Sequence, residues 1–346
     1  MRHPATEKAE IIRIDEQSSL LARNTMERVA LITGITGQDG SYLAEQLRGQ
    51  GVRVVGTTRS QEATRSRLPA ALQDVDIVPW DLLDKARFSA ILEEYSPTAV
   101  YNFAAFTSGE HMDRNPEAVT EINGLAVVKM LDAILQNGAP IRFCQASSSE
   151  VFAGSGVSPQ SETTPTVPRS VYGAAKILAD NMIRLYRERY GLFCCSAFLF
   201  NHESPRRGEG FVTKKIVHAA VQIRQGSQKK LRLGDLLAGR DWGFAGDYVH
   251  AMALMLRAAE PEDYVIATGI AHTVADLCER AFTAVSLDYR DHVVVDPAFV
   301  RPVETAPIIG DASKARGKLG WAPTTSFDEL VEMMIGAELD AVKRTI

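Results

Sequence analysis

Four side chains in this sequence could share one chemistry. Tyr172 and Lys176 occupy the ends of Tyr172-Gly173-Ala174-Ala175-Lys176, and Ser148 and Glu150 lie upstream in Ala146-Ser147-Ser148-Ser149-Glu150. On a helix, a spacing of four puts the phenol and the ammonium on the same side. An ammonium close to a phenol stabilises the phenolate, so a tyrosine that ordinarily ionises at about pH 10 is expected to fall toward operating pH. A tyrosinate beside a serine hydroxyl is a base for a sugar alcohol. Glu150 is the unusual member, because simple alcohol oxidation does not require it. It suggests that a second proton, one on carbon, is also taken. The same Tyr-to-Lys spacing occurs in many helices where the tyrosine is half-buried and the lysine solvated, so the surrounding sequence has to separate the two readings.

The elements that must position these residues are legible on both sides. Residues 141–145 read as a buried strand ahead of the serines. The run after Tyr172 reads as a helix with Ala175, Ile177, Leu178 and Met182 on or near one face. From Arg28 the pattern alternates: strand 29–33, helix 41–47, strand 52–56, strand 77–80, helix 86–94, strand 99–103 and a long helix 116–135 with Pro116 near its first turn. This order predicts an α/β protein with a Rossmann-type doubly wound parallel sheet covered on both faces. Beyond Lys176 come a strand at 193–199, a charge-rich loop at 201–210, a helix at 212–224, a strand at 264–267 and helices at 274–284 and 327–342. The expected division is a loosely ordered extension over 1–26 and a dinucleotide-binding Rossmann domain over 27–200. Residues 201–346 then form a smaller C-terminal substrate-binding lobe, some of whose elements return to the first domain.

With 346 residues, 45% hydrophobic and 23% charged, the chain can bury a sizeable core. A net charge of -5 gives no reason to expect nucleic acid or an acidic membrane as partner. No apolar run reaches the length of a membrane span, and the N-terminus carries no hydrophobic signal core. Cys144, Cys194, Cys195 and Cys278 show no metal-ligand spacing, so no metal is expected, and a reduced, cytoplasmic protein is the simplest reading.

The turn between the first strand and the first helix reads Thr33-Gly34-Ile35-Thr36-Gly37-Gln38-Asp39-Gly40. Glycines at 34, 37 and 40 allow a tight turn and close backbone approach, and the helix start offers amide hydrogens to a pyrophosphate. Thr36, Gln38 and Asp39 lie in the same turn and are candidate contacts. The second strand ends Gly56-Thr57-Thr58-Arg59-Ser60, without the acidic residue that usually holds the ribose hydroxyl of NAD. Arg59 suits a 2′-phosphate, which favours NADP. Asp81 and Leu82 are placed to meet the adenine. Ala104 and Ala105 are small enough to let the cofactor lie against the strand ends.

A glycine fingerprint, a serine ahead of the Tyr-to-Lys pair and a long second half resemble the extended short-chain dehydrogenase/reductase family. Within it, Gly34-Ile35-Thr36-Gly37-Gln38-Asp39-Gly40-Ser41-Tyr42-Leu43 is similar to the opening of the GDP-mannose 4,6-dehydratases. So are Asn201-His202-Glu203-Ser204-Pro205-Arg206-Arg207-Gly208, Arg240-Asp241-Trp242-Gly243 and Arg301-Pro302-Val303-Glu304. The resemblance spans nearly the whole chain. It implies a hydro-lyase with a hidden redox cycle. Hydride passes from the sugar C4 to NADP while Tyr172 takes the C4 hydroxyl proton. Glu150 then removes the proton on C5, water leaves from C6, and hydride returns to C6 to give a 4-keto-6-deoxy sugar. Lys176 is implied as electrostatic partner of Tyr172 and ribose contact, and Ser148 stands where the family usually has threonine.

The resemblance also implies that His202 and Arg207 lie near the cofactor, with Arg206 or Arg207 serving an interface in a homodimer or homotetramer. It places Asn201, Lys215, Arg240, Arg301 and Glu304 on the GDP part of the substrate. Each has a plainer reading: a surface ion pair for Arg240, a solvated helix face for Lys215, a hydrogen-bonded structural histidine for His202. The segment 106–115 departs from the family, and Ala118 stands where a cofactor-touching tyrosine is usual. The sugar therefore stays open between GDP-mannose and a GDP-manno-heptose. A 4-keto sugar-nucleotide reductase, an epimerase and a non-catalytic sensor are the other readings. The first two have no use for Glu150, and the intact set Ser148, Glu150, Tyr172 and Lys176 argues against the third.

Overall fold

The structure is a computed structural model that describes residues 28–59, 67–107, 114–299 and 307–343. The expected extension over 1–26, the segment 108–113 and the candidate contacts Arg301 and Glu304 lie outside those residues.

The central sheet holds β1 (Val29–Thr33), β2 (Arg53–Thr58), β3 (Asp76–Pro79), β4 (Ala99–Asn102), β5 (Arg142–Ala146), β6 (Cys194–Leu199) and β10 (Tyr264–Ile266). All seven are parallel, in the order β10-β6-β5-β4-β1-β2-β3. Strands β1 and β6 are buried along their whole length, as strands covered on both faces must be. The order reverses between β1 and β4, and in such sheets the crevice beyond the strand ends at this point takes the ligand.

Helices cover both faces. On one side α1 (Gln38–Gly49) lies beside α7 (Ala245–Met255), and Leu43, Leu47, Val249 and Met252 share a core with Ile32 and Ile77. On the other lie α2 (Lys85–Tyr95), α4 (Ala126–Asn137) and α5 (Val171–Tyr190). Phe88, Ile91, Val127, Met130, Ala179 and Ile183 form that core. Each large side chain buried there contributes roughly 1.5–3 kcal/mol. The long helix expected over 116–135 is divided: α3 (Pro116–Thr120) passes into α4 through a π turn at Glu121–Leu125. The turn contains Gly124, where a Cβ would meet Leu178 of α5 at 2.9 Å, so its bare backbone lets the two helices pack closely.

The C-terminal lobe has its own core of Ile216, Trp242, Leu277, Phe282, Leu330 and Met334. It is built from α6 (Val212–Arg224), α8 (Val274–Thr283) and α10 (Phe327–Lys343). A three-stranded sheet joins β7 (Asn201–Glu203), β9 (Gly239–Phe244) and β11 (Ala271–Thr273), and a small pair joins β8 (Leu231–Leu233) to β12 (Val293–Val295). Residues 201–203, expected as loop, are thus a strand, held by parallel pairing to β9. Two elements from this half return to the first: β10 extends the central sheet, and α9 (Ser313–Leu319) packs beside it and α7.

Candidate active site

The serine segment follows directly on β5 and alternates in exposure. Ser147 and Ser149 are buried, whereas Ser148 and Glu150 are half-buried. Ser148 ends the extended stretch and caps the short 3-10 turn Ser149–Phe152, its hydroxyl accepting from Glu150 N at 3.2 Å. This turn packs against the start of α5, where Ser170 is the N-cap and accepts from Gly173 N at 3.1 Å. A Cβ on Gly173 would meet the Glu150 carbonyl oxygen at 2.9 Å, so only glycine lets the two segments approach this closely. The approach brings Ser148, Glu150 and Tyr172 together. The Ser148 hydroxyl hydrogen-bonds the Tyr172 oxygen, and the Glu150 carboxylate acts on it through space.

Lys176 lies one turn further along α5, is 2% exposed, and sits with Nζ 5.5 Å from the centre of the Tyr172 ring. Its ammonium donates to Ala146 O at 2.7 Å. The expectation that Lys176 pulls Tyr172 toward neutral pH is not met. Burial pushes the phenol above its ordinary value and the Glu150 charge adds to this, against the lowering effect of the Ser148 hydrogen bond. Burial also draws Lys176 down to about 8, against the raising influence of Asp180. Desolvation outweighs the pairing because burial acts on both groups and the ammonium is aimed at a carbonyl.

Ala146 O ends a buried chain of polar contacts that sequence reading missed. Thr33 Oγ1 donates to Asn102 Oδ1 at 2.5 Å and accepts from Phe103 N and Ala104 N. Asn102 Nδ2 donates to Gln145 Oε1 at 2.7 Å, and Gln145 Nε2 donates to Ala146 O at 2.7 Å. Three polar residues at the ends of strands otherwise apolar were the available signal. Together they tie β1, where the glycine turn begins, to the lysine on α5.

The glycine turn has the geometry a dinucleotide needs. Gly34 has φ +68, and a Cβ there would meet the Ala104 backbone at 3.0 Å. At Gly40 a Cβ would meet Gly34 O at 2.5 Å, so α1 can start this close to β1 only with glycine. Helix α1 begins at Gln38, earlier than expected, and no side chain caps its first amides. Exposed Gly37 and half-buried Thr36 leave that end open, so the residues present fit a pyrophosphate at a helix start. Thr36 and Ser41, together with Arg67, Leu68, Pro69 and Arg206, line a cleft of about 420 Å3. Arg59 is exposed just beyond β2. Ala104 and Ala105 are half-buried just beyond β4. Asp81 is exposed, with one oxygen accepting from Leu83 N at 2.9 Å, and Leu82 packs on the core beneath.

Gln38 and Asp39 are stitched to the segment 201–207. Gln38 Nε2 donates to His202 O at 3.0 Å, and Ser204 Oγ donates to Gln38 Oε1 at 2.7 Å. His202 Nε2 lies 3.0 Å from Asp39 Oδ2, while its Nδ1 donates to Phe200 O at 2.7 Å. Burial pushes the Asp39 carboxyl up, but His202 and Arg207 outweigh it and hold the group below its ordinary value. Burial likewise lowers His202, and Asp39 reverses the sign and raises it. Arg207 pairs with Glu203 at 3.0 Å and stacks over Phe211, and Arg206 pairs with Glu45 at 2.8 Å. Both arginines thus have partners within the chain.

The other candidate substrate contacts are spread along the C-terminal lobe. Asn201 and Arg240 sit on the neighbouring strands β7 and β9, and Arg240 Nη1 donates to Gly239 O at 2.7 Å. Lys215 is exposed on α6, donates to Arg232 O at 2.9 Å and lies over the Phe299 ring. Asp241 is fully buried and accepts from Thr268 N and Oγ1, Gly269 N and Gly310 N. Sequence reading placed it only in a motif and as a surface ion-pair partner in the plainer reading of Arg240. Among the described residues no three His, Cys, Asp or Glu side chains gather to hold a metal, and no helix is long and apolar enough to cross a membrane.

A family model described as GDP-mannose 4,6 dehydratase matches residues 31–334. GDP-mannose 4,6 dehydratase 1 of Arabidopsis thaliana is 44% identical over 330 residues, covering 92% of this chain and 91% of the relative. The human GDP-mannose 4,6 dehydratase is 39% identical, with 91% and 92% covered. Among solved structures, the UDP-glucose 4-epimerase of Thermotoga maritima superposes with a TM-score of 0.80 at 23% identity, covering 91% of this chain and 99% of that one. The dTDP-glucose 4,6-dehydratase of Bacillus anthracis, in complex with NAD, superposes with a TM-score of 0.79 at 20% identity, covering 91% and 98%. At those identities the two structures speak for the fold alone, whereas the family model and the relatives agree over nearly the full length. On that ground the chain belongs to the GDP-mannose 4,6-dehydratase family, a branch of the extended short-chain dehydrogenases/reductases.

Proposed function

We propose that the protein converts a GDP-linked manno-sugar, GDP-mannose first, to its 4-keto-6-deoxy product through Ser148, Glu150, Tyr172 and Lys176, with NADP as the resident dinucleotide. The observation that carries this is the meeting of a carboxylate with a Ser-Tyr-Lys set: Glu150 faces Tyr172 across the contact that Gly173 permits. The glycine turn, Thr36 and the start of α1 would hold a nicotinamide dinucleotide, which would supply the hydride acceptor for C4 and the hydride donor for C6. The phenolate form of Tyr172, the minority form in this pocket, takes the C4 hydroxyl proton, and Ser148 steadies its oxygen. Lys176 supplies positive charge beneath the phenol. The C4 ketone acidifies the C5 proton, Glu150 removes it, and hydroxide departs from C6 and takes up one of the two abstracted protons to form water; the other proton returns to C5 when hydride reaches C6. Thr36, Gly37 and the start of α1 hold the pyrophosphate, while Ala104 and Ala105 let the dinucleotide lie against β4. His202 and Arg207 steady the cofactor side of the cleft. Asn201, Lys215 and Arg240 hold the GDP.

Arg59 beyond β2, with Arg67 and Arg206 on the cleft beside Thr36, favours a 2′-phosphate and hence NADP. Four buried free cysteines suit a reducing cytoplasm. Exposed Leu125 before α4 and exposed Leu185 and Tyr190 on α5 suit a homodimer or homotetramer.

GDP-mannose deuterated at C4 should be consumed without added NADPH and give product deuterated at C6 in the same molecule. Heat-denatured protein should release NADP rather than NAD. Glu150→Gln should still oxidise C4 but eliminate water about 10²–10⁴-fold more slowly. Net consumption of NADPH, or a normal rate of 6-deoxy product from Glu150→Gln, overturns the reading.

A further inference from the structure

Beneath the proposed catalytic set lies a half-buried acid with no part in the scheme above. Asp180 follows Lys176 by one helical turn on α5, so the two side chains share a face. Its carboxylate is held at both oxygens. Ser147 Oγ donates to Oδ2 at 2.6 Å, from the strand end that continues into Ser148 and Glu150. Ser196 Oγ donates to Oδ1 at 2.7 Å, from β6. Ser147 is in turn fixed by its backbone, which donates to Ala197 O at 2.8 Å. Lys176, for its part, makes one described hydrogen bond, to a neutral carbonyl. A buried ammonium needs a counter-charge, and Asp180 is the acid that acts on it.

We infer that Asp180 is a positioning residue for the reaction: it supplies the counter-charge to the Lys176 ammonium and, through Ser147, fixes the strand end that carries Ser148 and Glu150. The inference rests on the catalytic reading of Lys176. Its surroundings are otherwise simple. The charged groups facing Asp180 are Lys176 on its own helix and Asp263 on the segment before β10. Asp263 is itself bound by Arg187 at 2.6 Å and by Ser196 N at 2.7 Å, which leaves Asp180 to answer Lys176. Burial pushes Asp180 up to about 6, against the two serine hydroxyls, so both members of the pair lie close to neutral pH.

The test is Asp180→Asn in the full-length protein, which keeps the shape and an acceptor for one serine but removes the charge. The alkaline limb of kcat should move about one pH unit downward, because Lys176 loses its proton earlier, while KM for GDP-mannose changes less than twofold. The Lys176 signal in protein labelled at lysine side chains should titrate lower by a similar amount, read by NMR without any turnover. Ser196→Ala keeps the charge but removes one donor, so it should raise the acid limb of kcat. It also serves if Asp180→Asn does not fold. A Lys176 titration unmoved by Asp180→Asn overturns the inference. So does a titration that moves while the kcat profile stays put, and that result traces the failure to the catalytic role of Lys176. Superimposable profiles for Ser196→Ala and the parent overturn it as well.

Discussion

Ser148 is the residue on which the proposed chemistry turns most finely. Its hydroxyl is shared between Glu150 N and the Tyr172 oxygen. Donation to that oxygen, with the Arg207 charge, favours the phenolate against the effect of burial. Removing a hydrogen bond to a charged group costs about 1.5–3 kcal/mol. Ser148→Ala is therefore expected to lower kcat about ten- to a hundredfold with little change in KM, and Ser148→Thr to restore most of it. A steady-state comparison of the three proteins checks this, and an unchanged kcat in Ser148→Ala removes Ser148 from the mechanism. Ser148 and Tyr172 could be picked from sequence because their types and spacing carry a recognisable chemistry. The protonation balance could not, since it depends on how dry the pocket is.

Among the elements, the contact between the Ser149–Phe152 turn and the start of α5 decides whether there is a site at all. The two segments are separated in sequence and meet only because Gly173 has no side chain. In Gly173→Ala the new methyl must push the Glu150 carbonyl away, and forcing an extra group into a packed contact costs about 1–3 kcal/mol. Calorimetry should record a loss of that order. Because the displaced segment carries Glu150 itself, kcat should fall further than the stability loss alone accounts for. A variant of parent stability and parent kcat would show that the close approach is not needed. The glycine turn has the same character on the cofactor side, where Gln38 and Asp39 are tied to Ser204 and His202 of a distant segment. Turn and strand were readable from glycines and apolar runs. The division of the 116–135 helix by a π turn was not, because it reflects packing against α5.

Across the whole molecule, Asp241 links the two halves. It sits on β9 of the C-terminal lobe, and its carboxylate accepts from Thr268 and Gly269, which follow β10 of the central sheet, and from Gly310 ahead of α9. Asp241→Ala leaves those donors, with Gly310 N buried among them, without an acceptor, at a cost of about 1–3 kcal/mol. A lower Tm and a raised KM for the GDP-sugar are expected together, since the neighbouring Arg240 is a proposed substrate contact. Thermal unfolding and kinetics on one preparation check both, and a parent-like Tm refutes the link.

Residue types and local spacing by themselves determined the alternation of strands and helices, the glycine turn and the four catalytic candidates. Those signals are local: a run of apolar residues, a turn that tolerates only glycine, two side chains one helical turn apart. Tertiary structure alone decided that Asp180 lies under Lys176, that Thr33, Asn102 and Gln145 connect the glycine turn to that lysine, and that Asp241 joins β9 to β10. Each of these joins residues far apart along the chain or gives a buried polar group its partner, and burial and partnership are set by what the folded chain brings near.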